Sequence, residues 1–448
     1  MRKLKDSQNA ASRSKGHPGS RFSIILIGAF VLVYGGFLSP AGAVDGLRGK
    51  LIVGYQGWFG CPGDFAGNVH WQHWFFNDVP TADNLQVDLL PSTGRFSQAD
   101  LFKTRMLLPN GAPVFLFSAQ NKLIVEAHFQ WMKNYAIDGA AIQRFVGPLA
   151  NPEQKLRSDH VILNAKAGSE AAGRVFYICY DVSGANPKTV TAYIRKDWQT
   201  LVRDLEITSS PSYLFEGGKP VLQIWGFGFK DRPGAPHEVA NLIYDLKNGL
   251  HGLRAASLIG GVPTHWRTLR GDSKTDPAWA SVYRSYDVIS PWSVGRFADD
   301  AGVDNFVRLH ILPDIEETKR IGIGYMPVIF PGFSWYNLQN VRGHKKNAIL
   351  NQVPRRCGDF LWHQVYDLLG SGVETIYAAM FDEVDEGTAL FPIENNLPAG
   401  SHVVSMDQDG CALPDDWYLQ ITGWAARYLR SHKDPPKLLN QVLKDVSP

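Results

Sequence analysis

The stretch Thr375-Ile376-Tyr377-Ala378-Ala379-Met380-Phe381-Asp382-Glu383-Val384-Asp385-Glu386-Gly387-Thr388 runs from a strand-like, apolar segment straight into four carboxylates within five positions. A strand covered on both faces by helices reads as such a near-continuous apolar run. In a (β/α) barrel the carboxyl end of each strand is where chemistry is placed. Carboxylates this close cannot all ionise cheaply, so their pKa values are driven apart, one staying protonated near neutral pH while a neighbour stays charged. Acid-base cleavage of a glycosidic bond needs that division of labour.

Working outward, short apolar runs alternate with amphipathic stretches from residue 51 onward, the pattern of repeated β-α units around a parallel sheet. Strands are expected over 51–55, 114–118, 139–143, 175–180, 221–225, 256–260, 286–290, 325–330 and 375–381. Helices fit over 123–135, 188–205, 237–250 and 359–369. A last one opens at Pro414-Asp415-Asp416 and carries Trp417, Ile421, Trp424 and Tyr428 on one side. The expected fold is α/β, a single-domain TIM-like (β/α)8 barrel over 44–430 with long βα loops, the longest over 60–112, and a C-terminal tail over 431–448. Nine strands is one too many. Either 256–260 or 286–290 is irregular, or one strand lies outside the barrel; a doubly wound open sheet is the other architecture.

The first 43 of the 448 residues read as an export signal: Arg2, Lys3, Lys5, Arg13, Lys15 and Arg21, an apolar run over 22–38, then Ala41-Gly42-Ala43 as a cleavage site. An uncleaved anchor is the rival, since seventeen residues lie at the short limit for spanning a bilayer. Removing the leader takes the net charge from +2 to −3, which excludes a nucleic-acid surface. No later stretch can cross a membrane, so the mature chain is expected to be periplasmic or extracellular. Cys61, Cys179, Cys357 and Cys411 lack metal-ligand spacing, so neither a metal nor a cofactor is expected. Cys179 reads as a buried thiol; Cys357 and Cys411 flank the acidic segment from loops and could pair.

The carboxyl ends of the expected strands are polar and aromatic. Tyr55 and Trp58 close the first run; His70, Trp71, His73 and Trp74 lie in its long loop; Asn121, Arg144, Asp181, Trp225, Trp266, Trp292 and Trp335 come after later runs, and Asp382 opens the acidic cluster. Thirteen Trp and 12% aromatic residues exceed what core filling needs. Pyranose C–H faces pack on aromatic rings while their edges need polar partners, so this set suits a poly- or oligosaccharide. Taken singly, each Trp also reads as a core residue. The acidic cluster also reads as a solvated turn or a Ca²⁺ site, although D-x-D-x-D-G spacing is absent.

Tyr55-Gln56-Gly57-Trp58-Phe59, His70-Trp71-x-His73-Trp74, Asp138-Gly139 leading to Gln143-Arg144-Phe145, and Glu383-x-x-Glu386-Gly387-Thr388 resemble glycoside hydrolase family 99, the endo-α-mannosidases, and related family 71/99-like bacterial proteins. The resemblance implies a (β/α)8 barrel cleaving α-linked sugars with retention. Glu383 would be the base acting on the sugar's 2-hydroxyl, which closes a 1,2-anhydro ring, and Glu386 the acid/base. Val384-Asp385 replaces the family's Trp-His, which bears on the substrate, and Asp382 adds a charge expected to favour protonated Glu386. A silent glycan-binding barrel, or a hydrolase of an α-1,3-glucan or pentoside, are the alternatives.

Overall fold

The computed structural model describes residues 44–446 except 66, 342 and 344–347, and the side chains to 443; the expected export signal lies outside the described residues. Eight parallel strand positions form the central sheet: β1 (Lys50–Tyr55), β2 (Gly139–Phe145), β3 (Val175–Asp181), β4 (Lys219–Trp225), β5 (Ser257–Val262), β6 (Val288–Pro291), β7 (Gly324–Tyr325 and Val328–Ile329) and β8 (Thr375–Ala378). Each pairs with its neighbours in chain order, β1 against β2 and β8 alike. Closure falls on β7. Its first half pairs with β6, its second with β8, and between them Pro327 has no N–H to give the ladder. The closed cylinder is a (β/α)8 barrel.

Both 256–260 and 286–290 are regular barrel strands. The surplus strand is 114–118: Pro113–Leu116 pairs antiparallel with Phe102–Leu107 in a separate hairpin of the long first loop. Helices Lys122–Asn134, Val190–Arg203, Pro236–Asn248, Asp359–Gly370 and Trp417–Ser431 match their expected positions within a turn or so. Pro152–Ala172, the longest helix, carries no apolar stripe, because Arg157, Asn164 and Ser169 sit on its buried face beside Val161, Ile162 and Ala165. Small and polar residues on the inner face defeat a periodicity reading. The segment expected to be a tail contains a further helix, Leu439–Val446, with Leu439 and Val442 buried.

Alternation along the strands decides what the barrel encloses. Gly54, Gln143, Tyr177, Gln223 and Tyr377 meet inside, where Gln143 Nε2 donates to Tyr377 Oη (2.9 Å) and Tyr177 Oη to Gln223 Oε1 (3.1 Å). A Cβ on Gly54 would stand 2.2 Å from both Met380 Sδ and Tyr377 Oη, so only glycine fits. Cys61 and Cys179 are buried thiols, whereas Cys357 and Cys411 form a disulfide.

Candidate active site

At the carboxyl ends of β1 and β2 the chain encloses a cavity of about 570 Å³. Gln56, Gln72, Gln86, Gln120, Gln143 and Gln154 supply amides to its wall, and Trp58, Trp71, Phe145, His70 and His73 supply rings. Arg157 pairs there with Asp64 at 3.1 Å, both side chains buried, and His70 Nδ1 meets Asp78 Oδ2 at 2.7 Å. An amide-lined wall with aromatic faces suits a neutral polyhydroxyl ligand.

The acidic segment begins where β8 ends. Phe381 N donates to Gly54 O (2.7 Å), and Thr388 N donates to Glu383 O (3.1 Å), folding 383–388 into one tight turn. Gly387 lies at φ +62°, and a Cβ there would stand 2.8 Å from Ser334 N. Ser334 N in turn donates to Glu386 O (3.0 Å). Loop 60–112 reaches across to brace this turn: Asp88 and Leu89 N–H groups donate to Val384 O, and the Asp88 carboxylate takes Tyr336 N (2.6 Å) and Asn337 N (2.8 Å). The loops after β1 and β7 are thereby both tied to the segment carrying the two glutamates.

Electrostatics follow from burial. Glu383 is buried and Glu386 half-buried. Desolvation first, then the charges of Glu386 and Asp385, hold the Glu383 carboxyl well above the usual range, and the adjacent Gln56 amide relieves this only in part. Burial pushes Asp382 up to about 7 although its two oxygens accept Gln56 N (2.7 Å) and Gly57 N (2.8 Å). Asp181, at the end of β3, is pushed up by burial to about 6 while accepting Ser183 N (2.7 Å).

The Asp382 shift has a measurable consequence. The folded chain keeps a proton there that the unfolded chain releases near pH 4, so that contribution to stability is present at low pH and lost as pH rises toward 7. Asp382→Asn removes the titration. Its stability relative to wild type should therefore rise between about pH 4 and about 7 and level off above, as read by thermal melts across that window. A pH-independent difference would mean that Asp382 stays charged throughout.

Of the expected sugar-binding residues, Trp58, His70, Trp71 and His73 line the cavity. Trp225 and Trp292 meet edge to face at 5.3 Å on the far side of the barrel's carboxyl end, with the Arg232 guanidinium 5.5 Å from the Trp225 ring. Trp335 comes directly after Ser334, half-buried, its Nε1 without a partner among the described residues. Six expectations are corrected. Tyr55 points out of the barrel, fully buried, with Oη against His128 Nδ1 (2.9 Å), because it falls on the opposite face of β1 from Gly54. Arg144 likewise points outward between Gln143 and Phe145 and is locked to Asp197 and Asp159. Trp74 is core, its Nε1 donating to Phe117 O (3.0 Å). Trp266 is fully buried beneath the Arg284 guanidinium. Asn121 caps helix Lys122–Asn134, accepting Leu123 N (2.9 Å) and donating to Asp100 (3.1 Å). Asp382 is also a brace for Gln56 and Gly57 rather than a sugar ligand. The six glutamines escape a sequence reading as a set; their recurrence at loop and strand ends is a faint signal, since amides abound on surfaces.

A closed eight-stranded barrel with a carboxylate cluster at the carboxyl end of its last strand defines the class of fold. No protein-family model and no curated protein matches the chain. Two solved structures of the GH99 endo-α-mannosidase of Bacteroides thetaiotaomicron do, each at TM-score 0.61, with 16% and 15% identity. They cover 86% of this chain and 98% and 99% of theirs. The fold is that of these GH99 structures.

Proposed function

We propose that this chain is a retaining α-glycoside hydrolase acting on an α-mannan-like or other neutral α-linked glycan, with Glu383 and Glu386 as its working carboxyls. The observation that carries this reading is the pair's placement: both glutamates ride on one braced turn at the carboxyl end of β8, and the Gln56 side chain, which lines the amide- and aromatic-walled cavity, meets the Glu383 carboxyl. Two carboxyls three residues apart on one turn are poorly placed to flank a sugar ring from opposite faces, as a nucleophile and acid must. A route through the sugar's own hydroxyl avoids that need. Glu383 takes the proton of the 2-hydroxyl, O2 attacks C1, and the C1–O bond to the leaving group breaks as Glu386 gives it a proton. Water then attacks C1 and the C1–O2 bond of the anhydro ring breaks, while Glu386 recovers a proton from the water and Glu383 returns one to O2. Two inversions give net retention. The axial 2-hydroxyl of an α-mannoside lies trans to the leaving group, and the solved GH99 structures are named endo-α-mannosidases, which supports a mannoside. The leader sequence and the Cys357–Cys411 disulfide support work outside the cytoplasm.

The test is a panel of α-mannan, α-1,3-glucan and pentosan substrates with aryl α-glycosides, products being read by chromatography and anomeric NMR. Release of α-configured products from the mannan is the expected result. Calorimetric binding without any product would identify a silent glycan-binding barrel instead.

A further inference from the structure

One wall of the cavity is held from behind by a carboxylate that the reaction above does not use. His73 lies parallel to Trp58, with ring centroids 4.2 Å and planes 7° apart, and Trp58 stacks on Phe145 at 5.1 Å. His73 adopts φ +63°, a left-handed conformation that a side-chain-bearing residue keeps only where its surroundings impose it. Its Nδ1 faces Asp385 Oδ2 at 3.4 Å, long for a hydrogen bond but close for a carboxylate and an imidazole. Asp385 is buried, and its other oxygen, Oδ1, has no hydrogen-bond partner among the described residues. Gln56 Oε1, Trp58 Nε1 and Thr388 Oγ1 are likewise buried without partners. Gln56 and Trp58 line the cavity, and native interiors rarely leave such atoms unmet, so these two point to a polar ligand that completes them.

We propose that Asp385 is a positioning residue for glycan recognition: it fixes the orientation and tautomer of His73 so that the imidazole accepts a hydroxyl of the sugar held in the amide-lined cavity. The inference rests on the glycan reading above and names the group that selects within it. A carboxylate at Nδ1 keeps the ring proton on that nitrogen, which leaves Nε2 as an acceptor. Nε2 has no partner among the described residues, and the half-exposed ring lines the cavity. The surrounding glutamine amides can donate as well as accept, so a dedicated acceptor on a fixed ring discriminates between sugars that differ in one hydroxyl.

The experiment compares Asp385→Asn, His73→Ala and the double variant with wild type, using an α-mannan tetrasaccharide. KM is read by hydrolysis, Kd by calorimetry in a Glu386→Gln background, and folding by thermal melts. Asp385→Asn should raise KM and Kd about tenfold, or ~1.4 kcal/mol, with the melting temperature kept and kcat within about threefold on the pH plateau, above the limb that the Asp385 charge helps set through Glu383. His73→Ala should do the same, and the double variant should be no worse than His73→Ala alone. Additive losses, a fall in kcat with unchanged KM, or a melting temperature that falls in step with binding would each overturn the proposal. If wild type binds the tetrasaccharide without cleaving it, the hydrolase reading fails while the Kd comparison still decides the role of Asp385. Where wild type does not bind it, both fail.

Discussion

Glu386→Gln should lower kcat by about three orders of magnitude, within the range that a positioned acid-base group supplies, while leaving the melting temperature nearly unchanged. The side chain is half-buried on a turn held by backbone hydrogen bonds, and an amide of equal shape preserves that packing but cannot deliver or recover a proton. Glu383→Gln should be almost as damaging to kcat, with the opposite tendency in stability. Its carboxyl is buried beside other acids and held well above the usual range, so replacing it with a neutral amide removes a strained group and should keep or raise the melting temperature. The same elevation sets the pH dependence. Glu383 acts as a base only once deprotonated, so the rising limb of kcat/KM against pH should lie above the ordinary glutamate range. Unchanged turnover in Glu386→Gln would end the assignment; a mild loss in Glu383→Gln would remove the 2-hydroxyl route while leaving hydrolysis open.

Arg144→Met should produce the largest loss of stability, about 3–5 kcal/mol, the usual result of breaking a buried ion pair from one side. Arg144 is fully buried, its Nε and Nη2 on Asp197 (2.5 and 2.6 Å), Nη2 also on Asp159 (2.6 Å) and Nη1 on Ser158 (2.9 Å). Tyr180 Oη donates to the same Asp197 carboxylate (2.7 Å). Removing the cation strands Asp197 between helix and barrel. Denaturant titration should show the loss, and the folded fraction should keep a KM within about twofold of wild type. A selective rise in KM with the unfolding midpoint intact would mean instead that Arg144 touches the sugar.

Arg144 also shows where sequence reading stops. Gln143-Arg144-Phe145 ends a strand, and an arginine at that spot reads naturally as a ligand for a polar substrate. Strand alternation places Gln143 and Phe145 on the cavity and Arg144 on the helix side, but which face is inner depends on register against β1 and β3. Tyr55 falls on the unexpected face for the same reason. The tryptophans divide by a different rule: Trp58 and Trp71 reach the cavity while Trp74 and Trp266 fill the core, and an indole carries no mark in the sequence of which use it serves. Residues 60–112 are the least legible because their order comes from distant partners, such as Asp88 gripping the backbone of Tyr336 and Asn337.

The chain's own order of apolar runs and polar strand ends determined the barrel class, most helices and the place of the acidic segment, since those depend on local periodicity and on burial that residue type alone reports. Three-dimensional packing alone decided that 114–118 leaves the barrel, that β7 closes it in two halves about Pro327, and that Asp385 stands behind His73 across 312 positions of chain. Contacts between residues so far apart are fixed by register and loop closure, which no local pattern encodes.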